Sequence, residues 1–244
     1  MIQQTLDLIP KTTTSETYVY TPPSNPFIWE KPKSLTKTFC KKVIRKFLKD
    51  DDKYQGIIGE GRVDKKIKDS LDLPISQSEQ WEDEDEVFFK ALTESVNQYE
   101  EVITDRINLT AFERQGHQQI AVHPHTTNEN IDTGYQVQET QPGSYYDWHH
   151  DYDMICQDGM NSLMARKFTY LWYLNEDFDE GETEFFDGSA VKPETGKLII
   201  FPATWNFYHR GRPPVNGKKY ICTGWMYDSL TPANHMNRLG TQAT

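Results

Sequence analysis

Side chains that could bind a metal ion are concentrated in the segment YYDWHHDYD, residues 145–153. Within it, His149 and Asp151 are two positions apart, and residues two apart in an extended chain point to the same face. An imidazole and a carboxylate on one face can bind one ion together, but two ligands do not hold a metal firmly. The best candidate for a third ligand is His209, which follows the apolar segment GKLIIFPA.

Two neutral imidazoles and one carboxylate on one side of an ion leave the opposite coordination positions open. This ligand set is typical of non-haem Fe(II) oxygenases. Zinc accepts the same ligand types, but a zinc site of this composition normally has a different spacing and a nearby general base. His149, Asp151 and His209 therefore favour catalytic iron, with zinc as the alternative metal.

A cation suited to a co-substrate follows the third ligand. Lys219 stands ten residues after His209, at the start of the segment KYICTGW. If the two segments are neighbours in a sheet, the Lys219 ammonium lies close to the metal and can hold the distal carboxylate of a dicarboxylate as a point charge. An exposed ion pair contributes only about 0–1 kcal/mol, so we expect Lys219 to be buried at the base of a barrel.

Neighbouring residues compete for the ligand positions. If His150 were the ligand, its partner two residues on would be Tyr152, a poor iron ligand, so we expect the His150 side chain on the opposite face. Asp147 and Asp153 share the parity of the predicted ligands, but as additional ligands they would displace the co-substrate.

Two further histidines and four tryptophans could have roles at the site, but loop or core positions are favoured for them. His123 and His125 form a second H-x-H pair, but Pro124 separates them and no third partner is near in sequence, so a loop or a substrate-facing edge is favoured. Four tryptophans at or near strand positions are expected to pack in the core, with Trp148 the one that could border a substrate channel; they are Trp148, Trp172, Trp205 and Trp225.

The elements that must position these side chains are mostly strands. After about residue 115 the sequence alternates with a period of two, is rich in Tyr, Phe, Ile, Thr and Trp, and is interrupted by Gly, Asp, Pro and Asn. The segments are HQQIAVHPH, GYQVQET, KFTYLWYLN, ETEFFD, GKLIIFPA and YICTGWMYD. This density of short strands predicts an antiparallel sandwich or barrel over residues 116–244.

The preceding part of the chain predicts supporting helices. Apolar residues at helical spacing predict one helix over residues 35–48 and another over about 83–99. Residues 53–80 are expected to be loop with short strands, and residues 1–33 an irregular N-terminal arm. We therefore expect the arm, a helical support region over 34–115 and the β core to form a single structural unit.

Taken together, the motifs resemble a known family. The segment from Tyr146 to Trp225 is similar to the 2-oxoglutarate- and Fe(II)-dependent dioxygenases, in their prolyl 4-hydroxylase-like branch. The matching motifs are YDWHHD (146–151), YLN (173–175), GETEF (181–185), PETGKLIIFP (193–202), H-x-G-x-P with the following V, G and K (209–219), and the closing Trp225. The resemblance implies a mainly β fold with flanking helices, the double-stranded β-helix, a cupin-like jelly roll with iron inside one mouth.

The resemblance also implies roles for individual residues. His149, Asp151 and His209 would be the iron ligands, Lys219 would bind the 2-oxoglutarate carboxylate, and Tyr173 would add a hydroxyl to that carboxylate. Two positions depart from the family pattern. A tyrosine that often contacts the co-substrate is absent, with Thr140 and Gln141 in its place, and the usual Gly-Gly of the acidic turn is Glu180-Gly181.

The reaction implied by the resemblance is oxidative. The enzyme would use O2 and 2-oxoglutarate to hydroxylate a C–H bond, with succinate and CO2 as products, and ascorbate is a further cofactor to consider. A residue in a peptide or protein is the expected substrate, with proline as the first choice, and substrate loops are expected at Thr126–Thr133, Asp153–Arg166 and after Asp228. The alternative is a jelly roll that binds a metal or ligand without turnover, and a structural jelly roll is a third reading.

Composition restricts partners and compartment. The net charge is −11 over 244 residues, which argues against nucleic acid as the main partner. No apolar run is long enough to cross a bilayer, and the start MIQQTLDLIPKTTTS lacks the pattern of a secretory signal. The three cysteines, Cys40, Cys156 and Cys222, are far apart and odd in number, which favours reduced thiols and a cytoplasmic location.

Overall fold

The computed structural model describes residues 21–76, 78–115, 132–157 and 162–229. The helices are α1 (Lys37–Lys49) and α2 (Glu82–Gln115), with short 3₁₀ turns at Gly59–Gly61 and Glu79–Trp81. The strands are β1 (Trp29–Lys31), β2 (Tyr54–Gln55), β3 (Leu71–Pro74), β4 (Gln136–Thr140), β5 (Tyr146–His149), β6 (Met154–Gln157), β7 (Ser162–Tyr173), β8 (Asp179–Glu180), β9 (Thr183–Phe185), β10 (Ala190–Val191), β11 (Leu198–Pro202), β12 (His209–Gly211), β13 (Pro214–Val215) and β14 (Lys219–Ser229).

The larger sheet has eight antiparallel strands in the order β1-β11-β7-β14-β4-β3-β2, with β6 paired to β7. Its centre is formed by the two longest strands, β7 and β14, which pair with Ile221 opposite Tyr173 and Cys222 opposite Trp172. On the other side of β14, Lys219 pairs with Thr140 of β4. The start of β14 and the end of β4 therefore bring a lysine and a threonine side by side.

The smaller sheet has four strands in the order β10-β9-β12-β5. In this sheet β12 is central, with His209 paired to Phe185 of β9 on one side and to His149 of β5 on the other. Strands β8 and β13 pair with each other in a separate two-stranded sheet. Direct pairing of β12 with β5 is what joins two histidines that are far apart in sequence.

Hydrophobic side chains form two clusters that explain why the sheets and helices stay together. One cluster contains residues of the smaller sheet together with the larger sheet: Ile28, Tyr173, Phe185, Val191, Ile199, Phe201, Phe207 and Ile221. Within it the Phe185 and Phe201 rings meet edge to face with centroids 5.1 Å apart. The two sheets thus bury a shared interior, as in the predicted jelly roll, and the mainly β architecture is confirmed.

The second cluster joins both helices to the larger sheet. From α1 it contains Cys40, Val43 and Phe47, and the Phe88 ring of α2 lies 5.3 Å from that of Trp172 on β7. Thr36 caps α1, since its hydroxyl accepts a hydrogen bond from the backbone N–H of Phe39. The helices therefore support the sheet, as expected. Strands β2 and β3, which fall in the predicted support region, extend that same sheet, and the division of the chain at residues 33 and 115 stays a prediction.

Residues 64–72, here called the strap, connect the edge of the smaller sheet to the larger one. The backbone N–H of Asp147 donates to the Ile67 carbonyl at 2.7 Å, and that of Asp69 donates to the Tyr145 carbonyl at 3.0 Å. The last two residues of the strap are the first two of β3, where Leu71 pairs with Glu139 of β4. The edge of β5 is consequently covered by the strap.

Some predictions fall on residues outside the described ranges. These include the strand HQQIAVHPH with His123 and His125, most of the substrate loop Thr126–Thr133, and the tail beyond Ser229. Among the residues that are described, neither helix combines the length and the apolarity that a membrane span requires.

Candidate active site

The three predicted metal ligands converge. Nitrogen or oxygen atoms of His149, Asp151 and His209 all lie within 4.8 Å of one another, and this is the one such group among the described residues. One carboxylate oxygen of Asp151 is 3.5 Å from His149 Nε2. The other is 3.5 Å from His209 Nε2. Three ligand atoms at these separations can bind a single cation from one side.

Strand pairing explains the convergence. His149 ends β5 and His209 begins β12, and the two residues are direct partners in the antiparallel ladder, with ring centroids 4.3 Å apart. Asp151 follows two residues after His149 and is 7% exposed. Its Oδ2 accepts a hydrogen bond of 2.7 Å from the Thr169 hydroxyl of β7. The carboxylate thus reaches from the smaller sheet toward the larger one.

Both imidazoles present the same nitrogen to the site. His149 Nδ1 is 2.7 Å from the Asp147 carbonyl oxygen, and His209 Nδ1 is 2.9 Å from the Phe207 carbonyl oxygen. A carbonyl can only accept, so Nδ1 carries the proton in each ring and Nε2 keeps its lone pair for a metal.

The charges at the site suit a divalent cation. Burial lowers the pKa of His209 to about 4. The neighbouring His149 also lowers this pKa, whereas Asp151 raises it. Burial alone would raise the pKa of Asp151, but His209, His149 and the Thr169 hydroxyl outweigh it and hold that pKa far below its usual range. The site therefore offers the Nε2 atoms of two imidazoles and one carboxylate, which is the donor set that Fe(II) accepts.

A cavity of about 590 Å³ extends from the triad toward Lys219 on one side and to the surface on the other. Lys219 is 5% exposed, as expected from the sequence. Its ammonium donates to the carbonyl oxygens of Gly181 at 3.1 Å and Arg212 at 3.2 Å. Burial lowers its pKa to about 8, with Glu182 acting in the opposite direction. The ammonium is thus still charged at neutral pH and has no carboxylate partner within 4.0 Å among the described residues.

Tyr173 lines the same cavity and is fully buried. Its hydroxyl lies 2.6 Å from the Thr183 hydroxyl and also donates to the Val191 carbonyl at 3.3 Å. Thr140 and Gln141 stand where related sequences often have a tyrosine that contacts the co-substrate. Of the two, Thr140 is on the cavity wall. Gln141 is exposed and its amide hydrogen-bonds to Glu139 instead. Of these two residues, only Thr140 is therefore within reach of a molecule in the cavity.

The competing residues lie away from the ligand cluster. His150 is exposed and borders the mouth of the cavity, where its ring is 6.3 Å from that of Tyr208. Asp147 is exposed, and Asp153 pairs with Arg166 at 3.6 Å. Neither aspartate belongs to the group of ligand atoms.

The tryptophans divide between core and surface. Trp172 is in the core as expected, but the expectation was wrong for Trp205, which is 75% exposed. Trp148 stacks on Tyr208 with centroids 6.1 Å apart and is not part of the cavity wall. Trp225 does line the cavity, with the Arg166 guanidinium 3.8 Å from its ring centroid.

Sequence reasoning missed Tyr146, which stacks on His149. The cause is a bulge in β5: His149 pairs with His209 and Tyr146 pairs with Gly211, so β5 advances three residues where β12 advances two. The extra residue brings Tyr146 to the side of His149, although strict alternation would place it opposite. The sequence shows an aromatic residue, Tyr146, near the predicted ligands. An aromatic residue by itself does not indicate a bulge, so its contact with His149 could not be predicted.

Comparison with known proteins agrees with this geometry. Residues 135–227 match the model of the 2OG-Fe(II) oxygenase superfamily. This segment is a 2OG-Fe(II) oxygenase domain. The matched range contains all three predicted metal ligands and Lys219, and the prediction of a 2-oxoglutarate- and Fe(II)-dependent dioxygenase is confirmed. No curated protein matches the sequence.

Solved structures share the fold of the oxygenase. A viral collagen prolyl hydroxylase from Paramecium bursaria Chlorella virus 1, in complex with 2-oxoglutarate, is 19% identical with a TM-score of 0.51, covering 82% of this chain and 96% of its own. A prolyl-4-hydroxylase from Pseudomonas putida is 18% identical with a TM-score of 0.53, covering 83% and 93%. A Trichoplax adhaerens prolyl hydroxylase bound to a peptide of hypoxia inducible factor is 16% identical with a TM-score of 0.56, covering 84% of each chain. The oxygenase thus has the fold of prolyl hydroxylases.

Proposed function

We propose that this oxygenase hydroxylates a residue of a peptide or protein, with proline as the first choice, and that His149, Asp151 and His209 hold its iron. The observation that carries the proposal is the convergence of these three side chains at one end of a cavity whose other end is a buried, charged lysine. Iron held there would supply the activation of O2 that couples 2-oxoglutarate decarboxylation to C–H hydroxylation.

Lys219 is proposed to bind the distal carboxylate of 2-oxoglutarate. Among the described residues, its ammonium donates hydrogen bonds to two carbonyl oxygens, and it is buried, so an arriving carboxylate would gain a charge-assisted bond that water does not screen. Thr140, Tyr173 and Thr183 are on the same cavity wall and add hydroxyls of the kind that a carboxylate accepts bonds from.

The mouth of the cavity supports a peptide substrate. The indole Nε1 of Trp225 is buried and has no hydrogen-bond partner among the described residues. A buried donor without a partner costs free energy, and a backbone carbonyl of a bound peptide would satisfy it. Arg166 holds the Trp225 ring in place, because its guanidinium stacks on the indole and also donates to the Asp151 carbonyl at 3.3 Å. A flat apolar ring beside a donor suits an apolar residue such as proline.

The test is a mass-spectrometric screen with Fe(II), 2-oxoglutarate and ascorbate. Peptides with a central proline are compared with matched peptides in which alanine replaces that proline. We expect a one-oxygen mass gain in the proline peptides, with an equal amount of succinate, and neither product with His209→Ala. Succinate without an oxygenated peptide would overturn the peptide substrate, and no succinate under any condition would favour the binding-protein alternative.

The role of Lys219 has its own variant. A charge-assisted hydrogen bond contributes about 1.5–3 kcal/mol, so Lys219→Met should raise the KM for 2-oxoglutarate roughly 10- to 100-fold. Lys218→Met is the matched control, because that adjacent lysine is 44% exposed and pairs with Glu139. Equal KM values for the two variants would contradict the assignment.

We also propose a cytoplasmic location. Cys40 and Cys222 are free, buried thiols, which suits a reducing compartment. Fractionation of the producing cells tests this proposal, and recovery in a secreted or membrane fraction would contradict it.

A further inference from the structure

We propose that Tyr146 is a positioning residue for the metal ligand His149, and that the buried Lys68–Asp72 pair of the strap holds Tyr146 in place. This inference rests on the proposed function, since it needs His149 to be a metal ligand. It concerns residues other than the triad and the groups proposed to bind the co-substrate, and it assigns a role to an ion pair that the reaction does not otherwise use.

The contact between Tyr146 and His149 is a close parallel stack. The ring centroids are 3.6 Å apart and the planes differ by 15°. The hydrogen bond from His149 Nδ1 to the Asp147 carbonyl fixes one point of the imidazole but leaves rotation about that bond open. A flat ring against the face of the imidazole removes that rotation. His149 Nε2 is then oriented for metal binding in the metal-free protein.

Lys68 lies over the same tyrosine ring, with its Nζ 5.3 Å from the centroid. The ammonium is buried, with 6% of the side chain exposed, and its Nζ lies 2.6 Å from Asp72 Oδ2, while Asp72 is fully buried. Asp72 Oδ1 accepts a second bond of 2.7 Å from the Ser70 hydroxyl. A cation above an aromatic face is attracted to it, more strongly when water is excluded.

Stability alone does not account for this ion pair. Desolvation of two buried charges offsets most of their attraction, and apolar residues of similar volume often serve a fold as well or better. Here the lysine of the pair is in the wall of the cavity, which Lys68 and Ser70 line together with Tyr146. The location beside a metal ligand points to a role in fixing geometry.

The strap fixes the backbone on both sides of the tyrosine. Its bonds to Tyr145 and Asp147 flank Tyr146, and Lys68 itself forms an isolated bridge opposite Tyr146. Ser144 adds a side-chain bond of 2.6 Å to Asp69. The ring is therefore held through its backbone and through its face.

The first experiment compares Tyr146→Phe with Tyr146→Leu by titrating the metal-free protein with Co(II) and recording its d–d absorption spectrum. Residues that contact and orient metal ligands typically affect metal affinity 10- to 100-fold. We expect Tyr146→Leu to lose roughly that much and to shift the spectrum, and Tyr146→Phe, which keeps the flat ring, to stay within about threefold of wild type. Wild-type affinity in Tyr146→Leu would overturn the proposal, as would an equal loss in both variants.

The second experiment addresses the ion pair and does not depend on Tyr146→Leu folding. Lys68→Met/Asp72→Asn removes both charges together, so no buried charge is left unpaired. We expect a smaller loss of Co(II) affinity, on the order of threefold to tenfold, with a changed spectrum. Unchanged affinity and spectrum would overturn the role of Lys68.

A third variant separates this proposal from the proposed function. His149→Ala should abolish tight Co(II) binding. If the wild type does not bind Co(II), or if His149→Ala binds as well as wild type, the metal assignment itself fails. If His149→Ala loses the metal and Tyr146→Leu does not, only the positioning role fails.

Discussion

Each of the three proposed ligand side chains is held by its own neighbour. His149 is held by the Asp147 carbonyl and the Tyr146 ring. His209 is held by the Phe207 carbonyl, and Asp151 by the Thr169 hydroxyl. At the scale of single residues, the site is therefore arranged before any metal binds, and the cost of ordering these side chains is met by folding.

Burial of neutral His209 has a measurable effect on the metal-free protein. Its pKa falls from 6.5 to about 4 on folding, so between these pH values the unfolded chain binds the proton and the folded chain does not. This contribution to stability is present above pH 6.5 and is lost as the pH falls toward 4. We expect acidification from pH 7 to 4.5 to remove on the order of 2 kcal/mol of unfolding free energy through this residue.

Urea unfolding in the presence of a chelator measures this effect. His209→Gln cannot titrate, so its unfolding free energy should fall less than that of the wild type over the same pH interval. Identical pH dependence of the two proteins would contradict the prediction. Asp151, with its lowered pKa, acts in the same direction but at lower pH.

The sequence indicates the residues that converge at the candidate site, but not the residues that support them. The residues at the candidate site have distinctive side chains: His149, Asp151, His209 and Lys219. The order of the strands in the fold brings these side chains close together. Thr169 is an ordinary strand residue that becomes important only through its contact with Asp151. Such a contact depends on sheet pairing, which no local pattern encodes.

At the scale of elements, the strands were easier to predict than their ends. β7 begins at Ser162, earlier than the predicted KFTYLWYLN, and α2 continues to Gln115, well past the predicted end at residue 99. The helix extends because residues 100–115 contain neither glycine nor proline, so nothing stops it when the apolar pattern fades. Ile103, which lies past the predicted end, is 4% exposed and belongs to the core.

The last residue of β8, in the acidic turn, is strained. Glu180 has φ of +57°, a left-handed conformation that costs non-glycine residues roughly 1–2 kcal/mol, at the position where the family pattern has glycine. Its carboxylate pairs with Arg212 at 2.9 Å, but the side chain is 45% exposed, so that pair contributes only about 0–1 kcal/mol. We expect Glu180→Gly to raise the unfolding free energy by up to about 1 kcal/mol.

Chemical denaturation of the variant tests this, with Asn216→Gly as the control. Asn216 also has a positive φ, 59°, but asparagine tolerates that conformation better than glutamate does. Its gain should be smaller. A lower stability of Glu180→Gly would mean that the bond to Arg212 outweighs the backbone strain.

At the scale of the whole molecule, the site lies where separate parts of the fold meet. The histidines come from the smaller sheet, Lys219 and Tyr173 from the larger sheet, and the strap joins the two beside Tyr146. The helices cover the opposite side of the larger sheet through a separate cluster that contains Phe47, Phe88 and Trp172. Unfolding of the β core therefore separates the ligands from one another.

Metal binding should accordingly stabilise the whole chain. A ligand at 100 times its Kd that binds only the folded state adds about 2.7 kcal/mol. For a chain of this size, each kcal/mol raises the Tm by roughly 2–4 °C, so we expect Co(II) to raise it by about 5–10 °C. Differential scanning fluorimetry measures the shift. His209→Ala should show none, and an equal shift in that variant would place the bound metal elsewhere.

The extra residue in β5 shifts the register between sequence position and strand face over residues 146–149. Two chains with the same three ligands can differ by one residue between positions 146 and 149, and a gap-free alignment will then match the inward ring of Tyr146 with a side chain that faces outward. Such a gap-free alignment would underestimate the conservation of an aromatic residue beside the first histidine. Superposition of backbones, with the ladder opposite Gly211 as the reference, assigns equivalence correctly.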